Sequence, residues 1–176
     1  IYISYSTPKT PSRTFIYNLK TKEKKLVKEQ IIPSGHNPND YIVERLECEG
    51  HDGRIIPITI TRKKTTKLDG NSNLLLYGYG SYGNSMWPSF SSTRLSLINR
   101  DIIWATAHIR GGMERGMKWW KEGKLLNKKN TFQDYISCAK FLIDKKYTSN
   151  KKIIGMGGSA GGCLLYTSPS PRDDSQ

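Results

Sequence analysis

A serine flanked by glycines is the stretch of this chain best suited to covalent chemistry. Gly157-Gly158-Ser159-Ala160-Gly161 fits the pattern G-x-S-x-G, in which a nucleophilic serine occupies a sharp turn between a strand and a helix. The apolar pair Ile153-Ile154 precedes the motif and predicts that strand. Glycines two residues before and after the serine allow the chain to fold back without Cβ clashes. We therefore expect a strained backbone and an exposed hydroxyl at Ser159, which is the candidate nucleophile.

The same glycines permit three other interpretations. The segment from Gly155 to Ala160 also fits the dinucleotide-binding pattern G-x-G-x-x-G/A, which likewise follows a strand. A phosphate-binding P-loop fits less well, because no Gly-Lys-Ser/Thr follows the glycines. A glycine-rich turn without chemistry is the third. The motif by itself leaves these alternatives open, and the chain before it must distinguish among them.

The net charge of +13 over 176 residues raises the question of nucleic-acid binding. Lysines cluster in four segments, at residues 20–28, 63–67, 118–129 and 145–152. These segments fall in turns and at the ends of elements, whereas a nucleic-acid module would place them on one face, often among stacking aromatic residues. Net charge alone specifies neither fold nor site. We interpret the lysines as a solvated surface and expect no nucleic-acid partner.

The cysteines and the hydropathy pattern limit the classes of protein to which this chain can belong. Cys48, Cys138 and Cys163 have neither metal-ligand nor disulfide-framework spacing. We therefore expect no metal and a reducing compartment. We also expect no cofactor and a cytoplasmic location. No apolar run approaches the roughly 20 residues of a membrane span, so no membrane partner is expected. The chain begins at Ile1 rather than Met, and we expect it to be part of a longer protein.

The sequence pattern divides the chain at about residue 40. Residues 1–6, 14–19 and 24–29 are rich in β-forming residues. A strand-turn-strand unit of this size cannot bury its apolar side without neighbours, so it indicates the end of an all-β domain. The turn-rich segment 33–40 then predicts a linker.

An α/β pattern follows the linker. Alternating residues over 41–49 and 54–61 predict a hairpin. Further strands are predicted at 74–77, 101–107 and 153–154, and helices at 89–99 and 131–145. Thr131 and Asp134 have the spacing of a capping box at the start of the second helix. This alternation predicts a parallel sheet, in which the loops after Tyr77, after Ala107 and around Ser159 should converge at the carboxyl ends of the strands.

A series of motifs gives the chain a specific resemblance. In order, they are Leu75-Leu76-Tyr77-Gly78-Tyr79-Gly80, Ala107-His108-Ile109-Arg110-Gly111-Gly112, Gly123-Lys124-Leu125-Leu126, Lys128-Lys129-Asn130-Thr131-Phe132 and Gly158-Ser159-Ala160-Gly161-Gly162. This series resembles the prolyl oligopeptidase family of serine peptidases, and most of all its oligopeptidase B (protease II) branch. The resemblance spans about residues 14–162. It implies an α/β fold, the N-terminal half only of an α/β-hydrolase domain (residues 41–162), preceded by the last strands of a β-propeller and a linker (residues 1–40).

The resemblance implies roles for the residues that match. Ser159 matches the family's nucleophile, which is activated by a histidine held by an aspartate. The backbone N–H of Ala160 and the hydroxyl of Tyr79 match the two donors to the oxyanion. Tyr82 matches an aromatic residue of the primary specificity pocket. An ordinary loop position for Tyr79 and a packing role for Tyr82 are the alternatives.

The resemblance also bears on the other polar residues of the chain. His36, His51 and His108 all precede Ser159, whereas the family's order is Ser, Asp, His, so none of them is a candidate base. We expect His108 to be structural. Arg110 and Glu114 match the family's Arg-Gly-Gly-x-Glu pattern, and we predict an ion-pair role for them in ordering the loop.

The resemblance ends at Gly162. Residues 163–176 include Pro169 and Pro171, which do not fit inside the helix that should support the turn at Ser159. The same string results from translating a transposase-adapter sequence used in short-read libraries. We expect residues 163–176 to be a sequencing-adapter artefact, and Asp173 and Asp174 not to be the catalytic acid. The family's aspartate and histidine would lie beyond Gly162, so the 176-residue chain by itself is expected to be inactive.

The sequence therefore predicts a serine oligopeptidase that hydrolyses short peptides through an acyl-enzyme, cutting after Arg or Lys. Cleavage after Pro is the alternative within the family. A non-peptidase α/β-hydrolase such as an esterase is the next alternative, although a β segment ahead of the hydrolase would be unexpected there. A basic nucleic-acid-binding module is favoured only by the charge.

Overall fold

The computed structural model describes residues 1–168, which form two separate sheets. The first is a three-stranded antiparallel meander of β1 (Tyr2–Thr7), β2 (Thr10–Tyr17) and β3 (Lys24–Glu29). Its large apolar side chains are mostly exposed, and Tyr2 and Val27 are 73% and 52% exposed. The predicted N-terminal strands are confirmed, and their exposure agrees with a unit that lacks its neighbours.

The second sheet has five strands in the order β4-β5-β7-β6-β8. These strands are β4 (Tyr41–Glu49), β5 (Ile55–Lys63), β6 (Leu74–Tyr77), β7 (Ile103–Ala107) and β8 (Ile153–Met156). The predicted hairpin β4–β5 is confirmed and pairs antiparallel with β7, while β6 runs parallel to both β7 and β8. The sheet is therefore mixed, and its parallel part is the part that carries the predicted site.

Four α-helices accompany the second sheet in the described residues. They are α1 (Ser92–Ile98), α2 (Met117–Lys121), α3 (Lys128–Asp144) and α4 (Ala160–Thr167). The predicted helix at 89–99 is shorter than expected, because Ser91 caps it by accepting a hydrogen bond from the N–H of Arg94 at 3.3 Å. None of these helices combines the length and the apolar character that crossing a membrane requires.

The predicted capping box of α3 is wrong. The helix begins at Lys128, so Thr131 and Asp134 lie inside it and are completely buried. The Thr131 hydroxyl donates to the carbonyl oxygens of Arg110 (2.8 Å) and Gly123 (3.1 Å). Tertiary partners therefore satisfy polar side chains that the local pattern had assigned to the helix end.

The sheet has a core on each face. On one face α3 packs against the sheet, with a fully buried cluster that includes Ile58, Leu76, Ala105, Cys138 and Leu142. On the other face α1 covers a smaller cluster, built from Tyr41, Leu75, Leu95, Ile98 and Trp104. Alternate residues of one strand thus face opposite cores, as strand geometry requires.

The end of α4 bears on the predicted boundary at residue 163. Residues 160–167 form one continuous helix after the turn, and it ends two residues before Pro169. Pro169, Pro171, Asp173 and Asp174 lie outside the described residues. The assignment of residues 163–176 to an adapter, like the division at residue 40, stays a prediction.

Candidate active site

Ser159 lies on a strained turn between β8 and α4. Its backbone has φ 54° and ψ −121°, a conformation that costs a non-glycine residue about 1–3 kcal/mol. A Cβ at Gly157 would lie 2.3 Å from the carbonyl oxygen of Gly161, and a Cβ at Gly161 would lie 2.7 Å from that of Gly78. Both positions therefore require glycine. The predicted strain is confirmed, and the Ser159 side chain is exposed and makes no capping hydrogen bond.

The N–H of Ala160 lies at the start of α4, where helix geometry leaves amide donors without helical partners. The next two amides, of Gly161 and Gly162, donate to the carbonyls of Gly158 (2.8 Å) and Ser159 (2.9 Å). Within residues 1–168 the N–H of Ala160 has no backbone acceptor. It is therefore available to an oxygen placed beside Ser159, as its predicted role requires.

The loop that carries Tyr79 leaves β6, the strand next to β8. The N–H of Gly78 donates to the carbonyl of Met156 at 3.1 Å, so the two strands stay paired up to the loops. A Cβ on Gly161 would lie 3.6 Å from both Cα and Cδ2 of Tyr79. Tyr79 therefore packs against the first turn of α4, two residues after Ser159. The predicted convergence of these loops is confirmed.

Tyr82 lies further along the same loop and is 78% exposed, with φ 57°. The neighbouring N–H of Gly83 donates to the carbonyl of Gly111 at 2.9 Å, which joins this loop to the one after β7. The packing alternative for Tyr82 is not supported by residues 1–168, because most of its side chain is exposed. Its role in a specificity pocket stays a prediction.

Arg110 forms ion pairs in the loop after β7, but not with Glu114. Its buried guanidinium donates to Asp134 on α3 (Nε–Oδ2 2.8 Å, Nη2–Oδ1 2.5 Å) and to Asp52 in the β4–β5 turn (Nη1–Oδ2 2.6 Å). Burial alone lowers the pKa of Arg110, but the hydrogen bonds to both carboxylates outweigh burial and raise it. The loop-ordering role is therefore served by two acids that sequence reasoning missed.

Glu114 contacts Met86 and His108 instead of Arg110. Its Oε1 accepts a hydrogen bond from the N–H of Met86 at 2.9 Å and lies 3.6 Å from Nδ1 of His108. His108 is 2% exposed, and its Nε2 is 2.8 Å from the hydroxyl of Thr59 on β5. Its burial agrees with the structural position predicted for it, and Glu114 ties the segment at Met86 to the end of β7.

The Arg110 cluster yields a prediction about stability. In the full-length protein, Asp134→Asn should lower the free energy of unfolding by about 3–5 kcal/mol, because it leaves a buried guanidinium with one charged partner fewer. Asp52→Asn should cost about 1 kcal/mol or less, since the Asp52 side chain is 35% exposed and the solvent screens it. Urea unfolding followed by tryptophan fluorescence compares the two, because the Trp119 ring lies 5.8 Å from the Arg110 guanidinium.

The matched pair of carboxylates is its own control. Equal losses for Asp52→Asn and Asp134→Asn would contradict the assignment of the stronger contribution to Asp134.

Hydrogen bonding from Arg110 lowers the pKa of Asp52 below its ordinary 3.8. The contribution of Asp52 to stability is thus present above about pH 4 and is lost as the pH falls through its lower folded-state pKa.

The mixed sheet, the strained serine between a parallel strand and a helix, and the adjacent strand-end loop define the first half of an α/β-hydrolase domain. Comparison with known proteins gives the family. The sequence model of the prolyl oligopeptidase family matches residues 88–173. The chain belongs to the prolyl oligopeptidase family, and the dinucleotide and P-loop alternatives for its glycines are therefore excluded.

Individual relatives agree with this assignment. The chain is 43% identical to dipeptidyl aminopeptidase BI of Pseudoxanthomonas mexicana, over 92% of this chain and 22% of that protein. It is 40% identical to protease 2 of Moraxella lacunata, over 94% of this chain and 24% of that protein. It is 33% identical to the prolyl endopeptidase of Elizabethkingia meningoseptica, over 99% of this chain and 24% of that protein. The chain therefore spans about a quarter of the length of these relatives.

A solved structure supports the fold. The oligopeptidase B of Leishmania major superposes with a TM-score of 0.86 at 38% identity, over 93% of this chain and 23% of that one. The fold is accordingly the N-terminal half of an α/β-hydrolase domain, preceded by the last strands of a β-propeller. The assignment of the meander β1–β3 to the propeller stays a prediction, and its exposed apolar side chains agree with it.

Proposed function

We propose that the full-length protein is a serine peptidase that hydrolyses short peptides through an acyl-enzyme on Ser159. The observation that carries the proposal is the backbone of Ser159, held at φ 54° between β8 and α4 with the Ala160 N–H beside it. Strained backbone of this kind is typical of active sites. Here it exposes the serine hydroxyl and directs the N–H of the next residue to the space beside that hydroxyl. Tyr79, packed against Gly161, would supply the second oxyanion donor.

The triad aspartate and histidine belong to the part of the protein after Gly162 in this proposal. The histidine would activate Ser159 as general base, and the aspartate would orient the histidine, as in other serine hydrolases. The proposal needs neither a metal nor a cofactor. The propeller would restrict access to the site, so that short peptides enter and folded proteins are poor substrates. A cytoplasmic location would suit such a peptidase.

We propose cleavage after Arg or Lys, and the alternative is cleavage after Pro. The relatives called protease 2 and oligopeptidase B favour the first, with identities of 40% and 38%. Two relatives called prolyl endopeptidase favour the second, with identities of 33% and 36%. In either case Tyr82 would line the pocket for the residue before the cut bond. Its exposure leaves the side chain free to contact a substrate.

The specificity experiment uses full-length protein and three peptides that differ only at the residue before the cut bond. In this proposal the pocket for a basic residue would carry an acidic group from the part of the protein after Gly162. Arg should therefore give a kcat/KM about tenfold or more above citrulline, its neutral near-isostere. Pro should be a poor substrate. A preference for Pro would move the protein to the alternative, while hydrolysis of the matching esters without any of the peptides would favour an esterase.

A further inference from the structure

Lys128 binds the loop that carries Tyr79. Its ammonium donates to the carbonyl oxygen of Gly80 at 2.6 Å and to the hydroxyl of Ser81 at 2.8 Å. These are the two residues that directly follow Tyr79 in the chain. The two contacts cross 48 and 47 residues of sequence, so they join α3 to the loop rather than serve the helix itself.

The position of Lys128 in the fold disfavours a positive charge in two ways. It is the first residue of the 17-residue helix α3, whose first turn contains no acid. The positive end of the helix dipole lies there and disfavours a positive charge. Lys128 is also half-buried, and burial lowers the pKa of its ammonium below the ordinary value of 10.5. A charge kept against both effects is typical of a site where the contact serves a function.

The loop that Lys128 holds has an unusual backbone that needs such a contact. Gly80, Tyr82 and Gly83 have φ values of 63°, 57° and 67°, which place them in the left-handed region. Tyr82 adopts this conformation at a cost that glycine does not have. The N–H of Gly83 is bound to Gly111 at one end of the loop. Lys128 supplies the corresponding attachment at the end next to Tyr79.

We propose that Lys128 is a positioning residue for Tyr79, acting through the Gly80 carbonyl and the Ser81 hydroxyl. By fixing the peptide group between Gly80 and Ser81, one residue after Tyr79, it holds the tyrosine against α4, beside Ser159. This inference rests on the proposed function, because it matters to the reaction only if Tyr79 stabilises the oxyanion. A displacement of about 1 Å at a reacting centre can lower a rate on the order of 10²-fold, so the attachment of this loop affects turnover.

The test uses the full-length protein and the variants Lys128→Met and Lys128→Arg. Lys128→Met keeps the stem of the side chain and removes the donors, and it should lower kcat about tenfold or more with KM within about twofold. Lys128→Arg keeps a charged donor and should recover most of the loss. Lys129→Met, at the exposed neighbouring position, is the matched control and should leave kcat unchanged.

A double-mutant cycle separates positioning from a general structural effect. In the Lys128→Met background, Tyr79→Phe should cost at least tenfold less than in wild type, because the hydroxyl is already misplaced. Additive losses, or a wild-type kcat for Lys128→Met, would overturn the inference. If Lys128→Met does not fold, as judged by its thermal unfolding, Ser81→Ala takes its place in the cycle and must show the same non-additivity with Tyr79→Phe.

The proposed function and this inference fail in different ways. If wild-type protein has no peptidase activity, or if Ser159→Ala retains it, the proposed function is wrong and the inference falls with it. If activity depends on Ser159 and on Tyr79 but the Lys128 and Tyr79 losses add, only the role of Lys128 is wrong.

Discussion

In the full-length protein, Ser159→Ala is expected to lower kcat for peptide hydrolysis on the order of 10⁵-fold or more, because no other group can form the acyl-enzyme. A fluorophosphonate probe should label the wild type on Ser159 and leave the variant unlabelled. Substrate affinity should change little, since the serine oxygen acts on the transition state rather than on the bound ground state. Stopped-flow detection of the acyl-enzyme burst measures the same loss directly.

The controls for this result come from the chain itself. Ser96→Ala, at an exposed position of α1, should keep wild-type labelling and turnover. The isolated 176-residue chain should turn over no peptide ester, because the predicted aspartate and histidine are not in it. Turnover of an ester by that chain that disappears in Ser159→Ala would contradict the assignment of the acid and the base to the rest of the protein.

Tyr79→Phe is expected to lower kcat about 10²–10³-fold while KM stays nearly the same. The variant removes one hydroxyl and keeps the ring that packs against Gly161, so the fold should be undisturbed. The loss falls on kcat because an oxyanion donor acts mainly on charge that develops in the transition state. Steady-state kinetics on a peptide and on its matching ester measure it.

The control for the tyrosine is Tyr5→Phe, which removes an equivalent hydroxyl from a half-exposed residue of β1 and should have no effect on kcat. Wild-type activity in Tyr79→Phe would remove Tyr79 from the mechanism and leave Ala160 as the only donor identified in this chain. A rise in KM with an unchanged kcat would instead assign Tyr79 to substrate binding.

The turn at Ser159 could be predicted from the sequence because its requirements are local. Glycines at 157 and 161 are needed wherever the chain folds back this sharply, and a Cβ at either would collide with backbone. The apolar runs that form β6, β7 and β8 are local signals too, and so is their alternation with helices. The sequence by itself therefore determined the candidate nucleophile, the order of the elements and the edge of the sheet where the loops meet.

The tertiary structure decided which charged residues bind one another. Arg110 was expected beside Glu114, four positions along the chain, but it binds Asp134 and Asp52, which are 24 and 58 residues away. The helix α3 begins at Lys128, so the expected cap residues Thr131 and Asp134 lie inside it and are buried. Lys128 reaches Gly80 across 48 residues, and no pattern in its own segment indicates that contact. Long polar side chains choose partners by distance in space and by burial, and both arise only when distant strands and helices pack together.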